Sequence, residues 1–159
     1  EKWIAVIGLL DGRPYEIFTG GAQKSFSILS HVDKGWVIKS KSEDGTRYDF
    51  QYEDSHGYKT TIEGLSRTFN KEYWNYARLI SGVLRHGMPL SFVVDMVNNL
   101  HLNDETLNTW KKGVVRALKK FIPDGTKPAE NICPNCSEPS LVYEEGCLNC
   151  KSCGHSKCG

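Results

Sequence analysis

All six cysteines of this 159-residue chain lie between Cys133 and Cys158. Thiols used for core packing would be scattered among the apolar runs, so this clustering indicates a chemical role. Their spacing is Cys-x2-Cys, ten intervening residues, Cys-x2-Cys-x2-Cys and finally x4-Cys. Two Cys-x2-Cys pairs that flank a short hairpin are typical of a zinc ribbon, in which four thiolates surround Zn²⁺ as a tetrahedron. Four ligands leave two of the six thiols free for other chemistry.

Two ligand sets are compatible with this spacing. In a ribbon knuckle, a glycine usually follows Cys-x2-Cys because the small residue lets backbone N–H groups approach the sulfur. Gly154 follows Cys153 in this way, whereas no glycine follows Cys150 directly. We therefore favour the ligands Cys133, Cys136, Cys150 and Cys153, which leave Cys147 and Cys158 free. The alternative ligands are Cys133, Cys136, Cys147 and Cys150, which leave Cys153 and Cys158 as a Cys-x4-Cys pair.

Composition and charge are those of an ordinary folded protein. The hydrophobic share is 39%, the charged share is 25% and the net charge is +1, so bulk charge gives no argument for a nucleic-acid partner. No apolar run reaches the length of a membrane span, and no signal peptide is visible. Cys-x2-Cys repeats without a signal peptide favour a metal over structural disulfides, and a cytoplasmic location. Because a strand-like run follows Glu1 almost at once, we interpret the chain as the C-terminal part of a larger protein or as a separate subunit.

The region before the cysteines places strands first and helices second. Up to residue 62, short runs of β-forming residues alternate with turn signals such as Asp11-Gly12, which predicts a small antiparallel sheet of about five strands. Helical periodicity begins near Asn70 and predicts about three helices within residues 70–121. The second helix is expected to bury one stripe: Phe92, Val93, Met96, Val97 and Leu100. Strands followed by helices indicate an α+β fold.

Three regions follow from this pattern. Residues 1–121 are predicted to form the α+β domain, and residues 133–159 the zinc ribbon. Residues 122–132 contain two prolines and one glycine and are predicted to be a linker. A linker of this length spans up to about 35 Å when extended, so the ribbon is expected to move relative to its anchor. No phosphate loop or nucleophilic triad stands out, and we expect no complete active site in this chain.

Several runs resemble the C-terminal region of adenosylcobalamin-dependent (class II) ribonucleotide reductases. They are TFNKEYWNYARLISGVLRHGMPL, LNTWKKGVVRALKKFIPDG and CPNC…YEEGCLNCKSCGHSKCG, and the opening GLLDGRPYEIF is similar to the segment that follows the catalytic barrel of that family. The resemblance covers essentially the whole chain. The family's barrel, with its radical cysteine and its cobalamin and nucleotide sites, is not represented in these residues.

The resemblance implies that the chain belongs to an oxidoreductase that makes deoxyribonucleotides for DNA synthesis. Its cysteine-rich tail would bind zinc and relay electrons to the active site by thiol–disulfide exchange, through Cys147 with Cys158 or, alternatively, Cys153 with Cys158. Implied partners are the catalytic barrel, an external reductant and further copies of the parent enzyme, which would hold the adenosylcobalamin. Two other functions fit the residues: a zinc ribbon that binds nucleic acid or protein, and a structural oligomerisation domain.

Overall fold

The computed structural model describes residues 2–22, 28 and 31–158. Two small antiparallel sheets precede four helices, and a third small sheet closes the chain, so the expected α+β class is confirmed. The strands are β1 Trp3–Leu10, β2 Arg13–Gly21, β3 Trp36–Ser42, β4 Gly45–Glu53, β5 Lys59–Ile62, β6 Leu141–Glu144, β7 Cys147–Cys150 and β8 Ser156–Lys157. The helices are α1 Leu65–Thr68, α2 Lys71–Arg85, α3 Leu90–Asn98 and α4 Glu105–Lys119. None of the helices in the described part of the chain is long and apolar enough to cross a membrane.

The five predicted N-terminal strands form two sheets instead of one. β1 and β2 make a hairpin, and β3, β4 and β5 make a separate antiparallel meander. Alternation of polar and apolar residues identifies each strand and its buried face. It carries no information about which hairpins share hydrogen bonds, so the sequence could not separate the two sheets.

Local capping signals explain where the two long helices begin. The side chain of Asn70 accepts a hydrogen bond from the backbone N–H of Glu72, at 2.8 Å, at the start of α2. Asp104 accepts from the N–H of Leu107, at 3.0 Å, at the start of α4. Such caps satisfy N–H groups that have no partner inside the helix. The additional helix α1 is a single turn, which is too short to show helical periodicity in the sequence.

The predicted stripe of α3 is correct for Val93 and Val97, which are fully buried, and wrong for its other three residues. Phe92 and Met96 are 52% and 38% exposed, and Leu100 lies beyond the helix and is also exposed. The buried face is completed by Leu90 and Val94. Both faces of this short helix are apolar, so periodicity alone could not show which face is buried. Packing against α4 determines the buried face.

The main core joins the N-terminal hairpin to the helices. It contains apolar side chains from β2, α2, α3 and α4, and two buried hydrogen bonds cross it. The indole Nε1 of Trp110 donates to Thr19 Oγ1 at 2.9 Å, and Ser81 Oγ accepts from the N–H of Ile17 at 3.0 Å. Buried polar groups that lack partners are costly, so these bonds fix how the helices sit on β2.

The C-terminal hairpin packs into the same core. Tyr143 of β6 is 1% exposed and belongs to the main apolar cluster, and its burial, together with the nearby carboxylate of Asp95, raises its pKa to about 12. Residues of the predicted linker run along β6: Gly125 N–H donates to Tyr143 O at 2.7 Å, and Tyr143 N–H donates to Thr126 O at 2.8 Å. In this structure the segment 122–132 is therefore bonded to the ribbon, not extended away from it.

We predict that Tyr143→Ala destabilises the α+β domain and not just the ribbon. The expected loss is about 3–5 kcal/mol in the free energy of unfolding, because truncating a buried aromatic side chain leaves a cavity. Urea denaturation followed by tryptophan fluorescence measures it. The matched control is Tyr58→Ala, whose side chain is 73% exposed and should cost less than about 0.5 kcal/mol. Equal stabilities for the two variants would show that the ribbon does not share the core.

Candidate metal centre and disulfide

Two tight turns present four cysteines to one point. In the first, Ser137 N–H donates to Cys133 O at 2.8 Å, and in the second, Gly154 N–H donates to Cys150 O at 3.0 Å. The residue that follows each Cys-x2-Cys pair has a positive φ, 60° at Ser137 and 73° at Gly154. This backbone conformation is strained for most residues and easy for glycine, which explains the glycine signal at the second turn.

The four sulfur atoms lie close enough together to share one metal ion. The thiols of Cys133, Cys136, Cys150 and Cys153 all lie within 4.8 Å of one another. The Sγ atoms of Cys133 and Cys153 are 3.7 Å apart, and those of Cys136 and Cys150 are 3.6 Å apart. Four Zn–S bonds of about 2.3 Å in a tetrahedron place the sulfurs about 3.8 Å apart. These four residues could therefore hold a metal ion such as zinc.

Hydrogen bonds around the cluster suit a metal held by thiolates. Cys133 and Cys150 are buried, and their sulfurs accept from the N–H groups of Asn135 and Cys153, each at 3.4 Å. Ser140 Oγ lies 3.0 Å from Cys150 Sγ. Outer groups of this kind orient metal ligands and tune their basicity. Ser140 and Asn135 were not predicted from the sequence, because no spacing rule marks them.

The thiols of the cluster differ in the direction of their pKa shifts. The hydrogen bond from Ser140 lowers the pKa of Cys150 to about 6, with help from the backbone N–H groups of Cys153 and Ser152. At Cys136 a backbone N–H of Glu138 acts in the same direction, but burial and hydrogen bonds to the other thiols together raise the pKa to about 12. Four sulfurs at this distance do not all ionise unless a cation compensates their charge. A divalent ion supplies that compensation.

Strand geometry separates the remaining two cysteines from the cluster. Cys147 and Cys150 lie three residues apart on β7, and successive side chains of a strand point to opposite faces. Cys150 reaches the metal cluster on one face. Cys147 forms a disulfide with Cys158 instead. The structure thus brings together the favoured ligand set and, as a pair, the two cysteines that this set leaves over.

The disulfide joins Cys147 of β7 to Cys158, the residue that directly follows β8. Leu148 pairs with Lys157 in the antiparallel register, so Cys147 faces Cys158 one step further along. The Cα atoms of the two cysteines are 4.4 Å apart, the spacing of a pair that exchanges no backbone hydrogen bonds. Cys158 is exposed and Cys147 is partly exposed. An external thiol can therefore reach this bond from solvent.

His155 contributes through its backbone. Its carbonyl accepts a hydrogen bond from the N–H of Cys150 at 2.7 Å, which closes the second turn.

Comparison with known proteins identifies a family for most of the chain. A family model described as NrdJ homologue C-terminal domain matches residues 1–123. The matched region ends after α4 and so does not include the cysteine-rich segment. No curated protein and no solved structure shows a significant match.

We predict that the chain binds one Zn²⁺ through the four clustered thiols. Cys153→Ser should lower the affinity for Zn²⁺ by roughly tenfold or more, because it removes one of four thiolates, whereas the matched variant Cys147→Ser should bind normally. Elemental analysis and Co²⁺ substitution, whose absorption bands report tetrahedral thiolate coordination, measure both. The reverse result, with metal lost in Cys147→Ser and kept in Cys153→Ser, would establish the alternative ligand set.

Proposed function

This chain belongs to the NrdJ homologue C-terminal domain family, and from that premise we propose that it is the electron-relay region of a class II ribonucleotide reductase. The Cys147–Cys158 pair would pass reducing equivalents from an external reductant to the active site. The observation that supports this proposal most directly is the exposed cross-strand disulfide beside a separate cluster of four thiols. One set of sulfurs is arranged for a metal and the other for exchange.

The chemistry of such a reductase calls for a relay. Reduction of a ribose by a pair of active-site thiols leaves a disulfide inside a closed pocket that a protein reductant cannot enter. A thiol pair carried on a small, exposed strand can enter, exchange and be reduced again outside. We expect this chemistry because the chain resembles class II reductases, whose adenosylcobalamin belongs to the catalytic barrel.

Because Cys158 is more exposed than Cys147, the two cysteines would take different steps of the exchange. In the reduced pair, the exposed Cys158 thiolate attacks the active-site disulfide and forms a mixed disulfide. Cys147 then attacks Cys158, which restores the Cys147–Cys158 bond and releases the active-site dithiol. Two electrons and two protons pass to the active site in each cycle.

The candidate metal site has a supporting part in this proposal. When bound, zinc supplies the charge that keeps four thiolates together, and it takes those thiols out of the exchange. The residues around it hold β7 in place, so that Cys147 faces β8. Apart from the disulfide, only two residue pairs join β8 to β7 in the described part of the chain, Leu148 with Lys157 and Asn149 with Ser156. Reduction therefore leaves Cys158 on a weakly held strand that can move toward another disulfide.

The packing of the ribbon against the α+β domain affects how the thiol pair would reach the active site. Because Tyr143 lies in the main core and residues 122–132 bond to β6, the thiol pair is positioned by the whole α+β domain. We propose that this domain packs against the catalytic barrel, in the same chain or in a partner subunit. Local movement of β8 then supplies the last few ångströms of the transfer.

We predict that Cys158→Ser and Cys147→Ser, made in the complete reductase, each lower turnover roughly tenfold or more with a protein dithiol as reductant. Turnover with dithiothreitol, which can reach the active-site disulfide itself, should persist, because the relay is then bypassed. Zinc content should also persist. The exposed Ser152 provides the matched control as Ser152→Ala. Unchanged turnover of both cysteine variants with the protein reductant would falsify the relay.

A further inference from the structure

Three cations line a cavity beside the disulfide. The cavity has a volume of about 290 Å³ and is bordered by Cys147 and Cys158, by Glu145 and Gly146 at the hairpin tip, and by three residues at the end of α4: Arg116, Lys119 and Lys120. The tip lies close to α4 because Gly146 has no side chain; a Cβ there would be 3.3 Å from Lys119 O. The hairpin tip thus places the disulfide directly against the basic end of this helix.

A fourth cation comes from β8. Lys157 is adjacent to Cys158, and its positive charge acts on Lys119. Burial lowers the pKa of Lys119, the charge of Lys157 lowers it further, and Asp95 opposes both effects. In residues 2–22, 28 and 31–158, the ion pairs involve other basic residues, and none of these four cations has an ion-pair partner. We call Arg116, Lys119, Lys120 and Lys157 the cationic rim.

Carboxylates near the rim do not neutralise it. Glu145 is the one carboxylate that lines the described cavity, against three cations. Asp95 lies on α3 near Lys119. Asp124 lies at the hairpin tip, where its carboxylate accepts a hydrogen bond from the N–H of Glu145 at 2.7 Å. The disulfide therefore faces a surface with an excess of positive charge.

Helix electrostatics account for only part of this arrangement. Basic residues in the last turn of a helix interact favourably with its dipole, which explains Arg116 and Lys119 on α4. That effect does not explain Lys157, which belongs to a different element and repels Lys119. Charges of one sign from two elements, gathered around a reactive bond, are the arrangement that attracts an anionic reactant.

We propose that the cationic rim is the docking surface for the reductant that regenerates the thiol pair, and that this reductant is a protein dithiol with acidic residues around its reactive thiol. The proposal rests on the relay function and names its partner. Complementary charge steers such a partner onto the disulfide and raises the rate of encounter. The rim also stabilises the negative charge of the attacking thiolate and of the sulfur that leaves.

The reduction step balances within this pair of proteins. A thiolate of the partner attacks Cys158 Sγ, the more exposed sulfur, and the S–S bond breaks with Cys147 leaving as a thiolate. The second thiol of the partner then attacks the mixed disulfide. Cys147 and Cys158 gain two electrons and two protons, and the partner dithiol becomes a disulfide.

Small thiols of different charge test the rim without the natural partner. The oxidised, zinc-loaded chain is treated at equal thiolate concentration with 2-mercaptoethanesulfonate, 2-mercaptoethanol and cysteamine, whose substituents are anionic, neutral and cationic and whose attacking thiolates therefore differ stepwise in net charge. We expect the anionic thiol to reduce the Cys147–Cys158 bond roughly tenfold faster than the cationic thiol at low ionic strength. The preference should fall toward unity at about 1 M salt, where charges are screened within about 3 Å.

Charge reversal supplies the decisive comparison. The double variant Arg116→Glu with Lys120→Glu changes two exposed rim residues and should abolish or invert the preference. Its rate with 2-mercaptoethanol should fall less than its rate with 2-mercaptoethanesulfonate, because the first thiolate carries one negative charge and the second carries two. An unchanged far-ultraviolet circular dichroism spectrum reports an intact fold. The control, Lys41→Glu with Lys71→Glu, carries the same change in net charge on exposed residues that do not line the cavity and should retain the preference.

Two outcomes would contradict the proposed docking surface. Neither decides whether the relay exists, which the turnover of Cys158→Ser tests separately. One is equal reduction rates for all three thiols. The other is the absence of charge selectivity together with micromolar binding of a single-stranded oligonucleotide that the double variant loses; this would assign the rim to nucleic acid. Charge selectivity that survives in the control and disappears in the double variant supports the proposal.

Discussion

The alternation of side chains along β7 is the constraint on which the cysteine-rich region depends. Cys147 and Cys150 are three residues apart on one strand, so they leave it on opposite faces. This places Cys150 in the cluster of four thiols and Cys147 opposite Cys158. A single four-residue strand thereby divides six chemically identical side chains between a cluster that could hold a metal ion and a disulfide.

Hydrophobic packing gives this small region a fixed position. A zinc ribbon has little core of its own, and here Tyr143 extends into the core formed by α2, α3 and α4. The hydrogen bonds between residues 125–131 and β6 add a second attachment. Because the C-terminal hairpin is anchored in this way, the end of α4 contributes to the surroundings of the disulfide.

Electrostatics then distinguish the two sulfur sites. The cluster of four thiols is surrounded by neutral hydrogen-bond donors, such as Ser140 and backbone N–H groups, which suit thiolates that remain bound to a metal. The disulfide lies at the surface beside Arg116, Lys119 and Lys120, with Lys157 next to Cys158 in the chain, and positive charges of this kind would suit thiolates in the proposed exchange. The same functional group thus meets two environments that favour different chemistry.

Local rules in the sequence determined much of this protein. The caps at Asn70 and Asp104, the hairpin turn at Asp11-Gly12 and the order of strands and helices are set by neighbouring residues, so the α+β class could be predicted. The spacing of the cysteines likewise indicated a metal site with two thiols left over. It left two ligand sets open, because the distinction depends on how β7 and β8 pair.

Contacts between distant residues were decided by the tertiary structure alone. The separation of the N-terminal strands into two sheets, the exposure of Phe92 and Met96 and the docking of Tyr143 arise from packing partners that are far away in the chain. The same holds for the cationic rim, since no pattern in the sequence connects the end of α4 with Cys158. Such contacts depend on the shape of the assembled core, whereas periodicity and spacing report only on residues that are close in sequence.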